Sequence, residues 1–353
     1  MHHLMADLAA LPHPVAERYK RCRAHATIDN LPDSGYLSVS MMRLIKPPRL
    51  RRGDVIGICA PASPPTPAED VGKGIQYLER LGYRVEVGRN VFKRHGYLAG
   101  TDRGRADDLN TFFSNPGIRA IFIARGGYGA HRILPLLDYS LIRRNPKILV
   151  GYSDITAIQF AILAKAGVIT FSGPMVAADM SGGLSGAAEE LFWRWMTSPA
   201  APPPVTGEQL FTSRAGTRTS AEGRLIGGNL SLISALLGTE YFPSLYRPVY
   251  LLEEIGERPY RIDRMLTHMK IAGVLDRAAG VAFGRFIDCR PEQGKPSLSL
   301  EQIIQNTFHG SRYPVIPGFQ YGHCRGSISF PQGVRVRCEA RPMKLRFLEG
   351  GVR

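Results

Sequence analysis

The chain has 353 residues, 44% hydrophobic and 21% charged, enough for two domains or one large one with a sizeable core. That balance excludes disorder as the main state, and no apolar run is long enough to span a membrane. Five Cys, an odd count without Cys-x-x-Cys spacing, indicate neither a disulfide framework nor a zinc site. The charge is unusual: 45 Lys and Arg against 30 Asp and Glu give +15. Residues 1–52 carry +5 of this, leaving +10 on the body. A basic body suits an anionic ligand, although a solvated basic surface explains it equally well. The cations are scattered, with no basic helix, RNP-like segment or zinc-finger spacing, which argues against nucleic acid.

Residues 1–46 differ from the rest. Pro12, Pro14, Pro32 and Gly35 break any periodicity, and Met41-Met42 offers a second start. This segment is expected to be a poorly ordered leader, or to lie upstream of the true start. It has no secretory apolar stretch, so a cytoplasmic location is expected. From Gly53 the pattern sharpens. Residues 55–60 read as a buried strand, 69–81 as a helix, 84–87 as a short strand and 102–113 as a helix. A strand at 120–124 runs into Gly126-Gly127, and 133–137 is helical. A strand at 148–151, a helix at 155–166 and a strand at 168–171 close the series. This alternation predicts an α/β fold whose N-terminal doubly wound parallel sheet, flavodoxin- or Rossmann-like, binds ligands beyond its strands' carboxyl ends. The Pro-, Ser- and Thr-rich stretch 198–222 reads as a linker between an N-terminal domain, 47–197, and a smaller β-rich C-terminal α/β domain, 223–353. In the latter, 335–338 and 344–347 alternate like half-exposed antiparallel strands.

Four segments could carry chemistry. Gly151-Tyr152-Ser153-Asp154 joins a strand to a helix, the setting of a nucleophile elbow. Ile155 stands where the common Gly-x-Ser-x-Gly pattern has its last glycine, and Ser153 could instead cap the helix. Ala124-Arg125-Gly126-Gly127-Tyr128-Gly129 is a second strand-to-helix turn whose backbone N–H groups can approach a ligand, or simply a tight turn. The strand Tyr250-Leu251-Leu252 delivers Glu253-Glu254 at its end, and Pro259 then opens a helix. His323 sits in the Gly-bounded turn Gly318-Phe319-Gln320-Tyr321-Gly322-His323, where an imidazole can reach outward or serve structure alone.

Taken in order, the strings GDVIGICAPAS, ARGGYGAHRILPLLD, GYSDITA, LIGGNLSLISALLGT, LLEEIGERPYRIDRML and the Gly-His turn resemble the LD-carboxypeptidases (muramoyltetrapeptide carboxypeptidases), over about residues 47–350. The resemblance implies an active site between two domains, a homodimer and no metal or cofactor. It implies Ser153 as nucleophile, His323 as general base and acid, and Glu253 as the carboxylate that orients His323. The family has Glu-Asp where this chain has Glu253-Glu254. The implied oxyanion hole is the backbone N–H of Gly127 and Asp154. Arg125, Gly126, Tyr128, Asn229, Arg261 and Arg264 are the substrate-binding candidates; of the arginines, Arg125 is favoured to clamp a terminal carboxylate, and Arg261 and Arg264 could instead pair with nearby acids. The implied reaction releases terminal D-Ala from murein tetrapeptides during cell-wall recycling, with an anionic peptide as substrate and neither nucleic acid nor membrane as partner. Two other readings stay open: hydrolysis of microcin-C-type peptidyl or aminoacyl nucleotides, and a nucleotide- or nucleic-acid-binding module.

Overall fold

A computed structural model describes residues 43–66, 68–184, 186–210 and 216–353. Most of the expected leader, residues 1–42, lies outside them. Its last residues, 43–46, are tied to the body: Ile45 pairs with Val168 as an isolated bridge, and Lys46 meets Glu349 at 2.8 Å.

Among the described residues, thirteen strands form two sheets. The first contains β1 (Val55–Cys59), β2 (Arg84–Val87), β3 (Ile118–Ile123), β4 (Ile148–Gly151) and β5 (Phe171–Ser172), parallel in the order 2-1-3-4-5. That is the flavodoxin-like winding, with its topological switch between β1 and β3. Helices Ala68–Arg80, Asp102–Ser114 and Thr156–Ala166 connect these strands. The central strands are unbroken apolar runs because helices cover both faces: β4 is wholly buried, and Ile121, Phe122 and Ile123 of β3 have no exposed surface. Side-chain caps fix helix starts where the chain turns, as Thr101 does by accepting from the Gly104 N–H. The last expected strand moves. Val168 bridges Ile45, and the ladder to β4 begins at Phe171.

The second sheet is mixed. β7 (Ser220–Asn229), β8 (Pro248–Ile255), β9 (Gly280–Ile287) and β10 (Val315–Ile316) run parallel. β12 (Arg335–Ala340), β13 (Met343–Phe347) and the short β6 (Val205–Thr206) extend it antiparallel. β6 and the start of β7 fall inside the stretch expected as linker. The remaining strand, β11 (Phe330–Pro331), leaves this part of the chain and pairs antiparallel with β5 of the first sheet.

That return locks the two sheets together. Gln332, fully buried, bonds both the N–H and the C=O of Gly227 and donates to Gln159, which itself donates to the carbonyls of Gly151 and Phe171. Buried amides with every contact satisfied fix one relative position of the elements they join. The loop between β10 and β11 is thereby held over the carboxyl edge of the first sheet, and it carries His323. No helix among the described residues is long and apolar enough to cross a membrane.

Candidate active site

Ser153 follows β4 and opens a single 3-10 turn before the helix Thr156–Ala166. Its φ is +63°, a left-handed conformation that disfavours any side chain except glycine's missing one. The strain lifts the hydroxyl clear of the sheet edge, as a nucleophile elbow requires. Neither the 3-10 turn nor the helix has a side-chain cap bond, so Ser153 does not serve as the helix cap. Its Oγ lies 3.0 Å from His323 Nε2.

The imidazole is held from its other side. His323 Nδ1 is 2.8 Å from Glu253 Oε2. A carboxylate only accepts, so the proton sits on Nδ1 and Nε2 is left to accept from the Ser153 hydroxyl. Glu253 is buried near the carboxyl end of β8, where the register with β9 slips between Leu252 and Glu254. Such a bulge re-aims a side chain. Its Oε1 has no hydrogen-bond partner among the described residues, so the buried charge is answered chiefly by the imidazole. Burial by itself disfavours the imidazolium of His323. The hydrogen bond and charge of Glu253, with the charges of Glu254 and Asp179, outweigh it and raise the histidine above its ordinary value.

Glu254 points elsewhere. It accepts from Asn229 Nδ2, from the Ser231 N–H and hydroxyl, and from the Ile255 N–H. The neighbouring carboxylates thus divide: Glu253 faces the imidazole and Glu254 anchors the start of the helix Leu230–Leu236.

The glycine turn closes on the serine. A Cβ at Gly126 would stand 3.1 Å from Ser153 Cβ, and one at Gly127, whose φ is +104°, would strike Ser63 Oγ. Only bare backbone fits here. Among the described residues, three side chains pin this turn, Ser63 by accepting from the Tyr128 N–H at 3.2 Å. Asp154 accepts from the Ala130 N–H at 2.7 Å, and the buried Arg105 donates to the carbonyls of Pro61 and Gly129. Burial lifts Asp154 to about 6, opposed by the Ala130 N–H and Arg105. Arg105 was not singled out from sequence. The available signal was a guanidinium on the apolar face of a helix, beside Ala106 and Leu109.

A cavity of about 540 Å³ opens beside the imidazole. It is lined by Tyr152, the stretch from Ser172 to Glu189 in part, and the loop from Tyr321 to Ser329. Tyr152 packs edge-on against His323, ring centroids 5.1 Å apart, and its hydroxyl donates to Asp179 at 3.3 Å. Sequence reasoning missed Asp179 because nothing local marks it.

The other binding candidates fall differently. Arg125 donates to Thr66 Oγ1 at 2.6 Å. Tyr128 is exposed and meets Tyr97 edge-on. Asn229 is buried, its Oδ1 accepts from the Leu232 N–H at the start of the helix Leu230–Leu236, and its Nδ2 donates to Glu254. Arg261 and Arg264 lie on the helix Pro259–Ile271. Arg261 pairs with Glu257 at 3.3 Å, Arg264 lies over the Tyr260 ring, and neither lines the cavity.

Comparisons with known proteins bear on this geometry. Residues 56–173 match the LD-carboxypeptidase N-terminal domain, and residues 222–338 the LD-carboxypeptidase C-terminal domain. The chain is 38% identical to the Bacillus subtilis (strain 168) protein named "Probable murein peptide carboxypeptidase", over 87% of this chain and 95% of that protein. It is 30% identical to the murein tetrapeptide carboxypeptidase of Pseudomonas aeruginosa, over 82% of this chain and 94% of the other. Among solved structures it resembles a muramoyltetrapeptide carboxypeptidase from Oxalobacter formigenes (29% identity, TM-score 0.73, covering 84% and 98% of the two chains). It also resembles the microcin C7 self-immunity protein MccF in complex with aspartyl sulfamoyl adenosine (25% identity, TM-score 0.76, covering 88% and 100%).

Proposed function

The chain belongs to the LD-carboxypeptidase family and is a serine-type carboxypeptidase; on that premise we propose that it releases the terminal D-amino acid from murein tetrapeptides through a Ser153–His323–Glu253 acyl-enzyme mechanism. The observation that carries the proposal is the unbroken chain of contacts, 2.8 Å from Glu253 to His323 and 3.0 Å from His323 to Ser153.

The steps follow from the groups present. His323 Nε2 takes the Ser153 proton as Oγ attacks the carbonyl of the diamino acid's L-centre. Glu253 holds the ring in the working tautomer and offsets the charge of the imidazolium. The N–H groups of Gly127 and Asp154, on the two turns that meet at Ser153, are assigned to the developing oxyanion. His323 then gives its proton to the leaving amine, D-Ala departs, and the same residue activates water to hydrolyse the ester. A cytoplasmic homodimer, as the family implies, belongs to the same proposal, as does an anionic substrate matched to the basic body.

Likeness to MccF bound to aspartyl sulfamoyl adenosine favours one second reading, an aminoacyl- or peptidyl-nucleotide substrate for the same triad. Identity to the murein peptide carboxypeptidase, 38% against 28% for MccF, favours the first. A serine-reactive phosphonate followed by mass spectrometry tests the mechanism. Labelling at Ser153, absent in Ser153→Ala, is the expected result; labelling elsewhere or none would remove Ser153 as the nucleophile.

A further inference from the structure

Given the carboxypeptidase reading above, the leaving residue carries a free carboxylate beside the scissile amine. His323 delivers the proton to that amine, so the leaving residue lies on the imidazole's side of Ser153. The cavity of about 540 Å³ is on that side, with His323 in its wall. Among the described residues, Arg325 is the one basic side chain besides the imidazole that lines it.

Arg325 is two residues beyond His323, so their Cα atoms lie within about 7 Å whatever the loop's path. Its backbone is fixed. The Arg325 carbonyl accepts from Gln320 Nε2 at 2.8 Å, and Gln320 Oε1 is gripped by the Arg285 guanidinium. Gly322 N–H to Ser327 Oγ and Ile328 N–H to the Gln320 carbonyl close the same loop. The side chain is exposed, and among the described residues its guanidinium has no hydrogen bond or ion pair. The arginine candidates from sequence are engaged otherwise: Arg125 with Thr66, Arg261 with Glu257, Arg264 over Tyr260.

We propose that Arg325, rather than Arg125, clamps the terminal carboxylate of the leaving residue and so makes the enzyme a carboxypeptidase rather than an endopeptidase. A guanidinium matches a carboxylate with two parallel N–H donors, which fixes direction as well as charge. Asp179 and Glu189 line the same cavity, and their charge would repel a carboxylate left without a cation. Asp179 is occupied by the Met175 N–H and the Tyr152 hydroxyl, and Glu189 by the Tyr77 hydroxyl. The alternative is that Arg325 closes onto one of these acids and serves the loop alone.

The test measures kcat and KM on L-Ala-γ-D-Glu-meso-diaminopimelate-D-Ala and on its C-terminal amide, with wild type, Arg325→Ala, Arg325→Lys and Arg125→Ala. Arg325→Ala should raise KM for the acid by about ten- to a hundredfold, the worth of a charged hydrogen bond. It should leave the amide nearly unchanged and largely spare kcat. Arg325→Lys should recover part of the loss, and Arg125→Ala should not discriminate acid from amide. An equal loss on both substrates, or a selective loss with Arg125→Ala alone, overturns the assignment. Wild type that turns over neither substrate refutes the murein-peptide reading instead.

Discussion

Gly322 passes so close to Glu253 that a Cβ on it would stand 2.7 Å from the carboxylate Oε2, the oxygen that meets His323. Its φ of +113° is likewise closed to other residues. The residue before the histidine therefore sets how deeply the imidazole sits between Ser153 and Glu253. Gly322→Ala should push the loop outward. A displacement of about 1 Å at a catalytic group can cost on the order of 10² in rate, and a loss of that size in kcat is expected. Steady-state kinetics beside a thermal melt checks it: the melt should fall, since Tyr321 and Ile328 of this loop belong to an apolar core, but the loss of kcat should persist well below the melting temperature.

Ser153→Ala should lower kcat by several orders of magnitude, on the order of 10⁶ where a triad nucleophile has been removed. The same position gives a stability test. At φ +63° alanine retains the strain and glycine does not. Ser153→Gly should be more stable than Ser153→Ala by about 1 kcal/mol, measured by denaturant unfolding.

Activity should fall on the acid side as His323 takes up a proton and ceases to be a base. Glu253, Glu254 and Asp179 hold it above its ordinary value despite burial, so the limb should lie above about pH 6.5. The imidazolium–carboxylate pair contributes stability that is fully present below the unfolded-state value and is lost as pH rises through the folded one. Glu253→Gln removes the charge that favours the imidazolium. The acid limb should then shift to lower pH and kcat fall by up to about 10⁴, as when a triad carboxylate becomes an amide. A pH–rate profile of kcat/KM for both proteins checks this; an unmoved limb would assign it to another group.

Tyr152 and Asp179 support the imidazole from the cavity side. Tyr152→Phe keeps the ring against His323 and removes the hydroxyl that donates to Asp179. It should cost only a fewfold in kcat, since the lost bond to the Asp179 carboxylate does not touch the reacting atoms. Asp179→Asn removes a charge that raises His323, so its acid limb should move down, by less than in Glu253→Gln. Profiles of the two variants separate the roles: a shift in Tyr152→Phe without one in Asp179→Asn would contradict the division.

Ser153, Glu253 and His323 were linked in the sequence by the family resemblance of their strings, each marked by a nearby glycine (Gly151, Gly256 and Gly322), and the fold brings the three within hydrogen-bond reach. The parallel sheet was legible from apolar runs alternating with helical periods. What sequence could not show depends on chain crossings. β11 is two residues long, too short for any period, yet its pairing with β5 carries the His323 loop to Ser153. Asn229 lies in a family string, but its register opposite Glu253 and its bond to Glu254 come from the pairing of β7 with β8 and not from any local pattern. Arg325 carried no local signal. Its unpaired guanidinium and its place in the cavity wall are properties of the folded loop, as is the crosslink by which Arg105 joins Pro61 to Gly129.

The most direct measurement is free D-Ala released from L-Ala-γ-D-Glu-meso-diaminopimelate-D-Ala, quantified for wild type and Ser153→Ala, with aspartyl sulfamoyl adenosine as a parallel substrate. The account predicts stoichiometric D-Ala and tripeptide from wild type, none above background from Ser153→Ala, and slower or no cleavage of the nucleotide. Folded wild type that leaves the tetrapeptide intact while cleaving the sulfamoyl adenosine would contradict it.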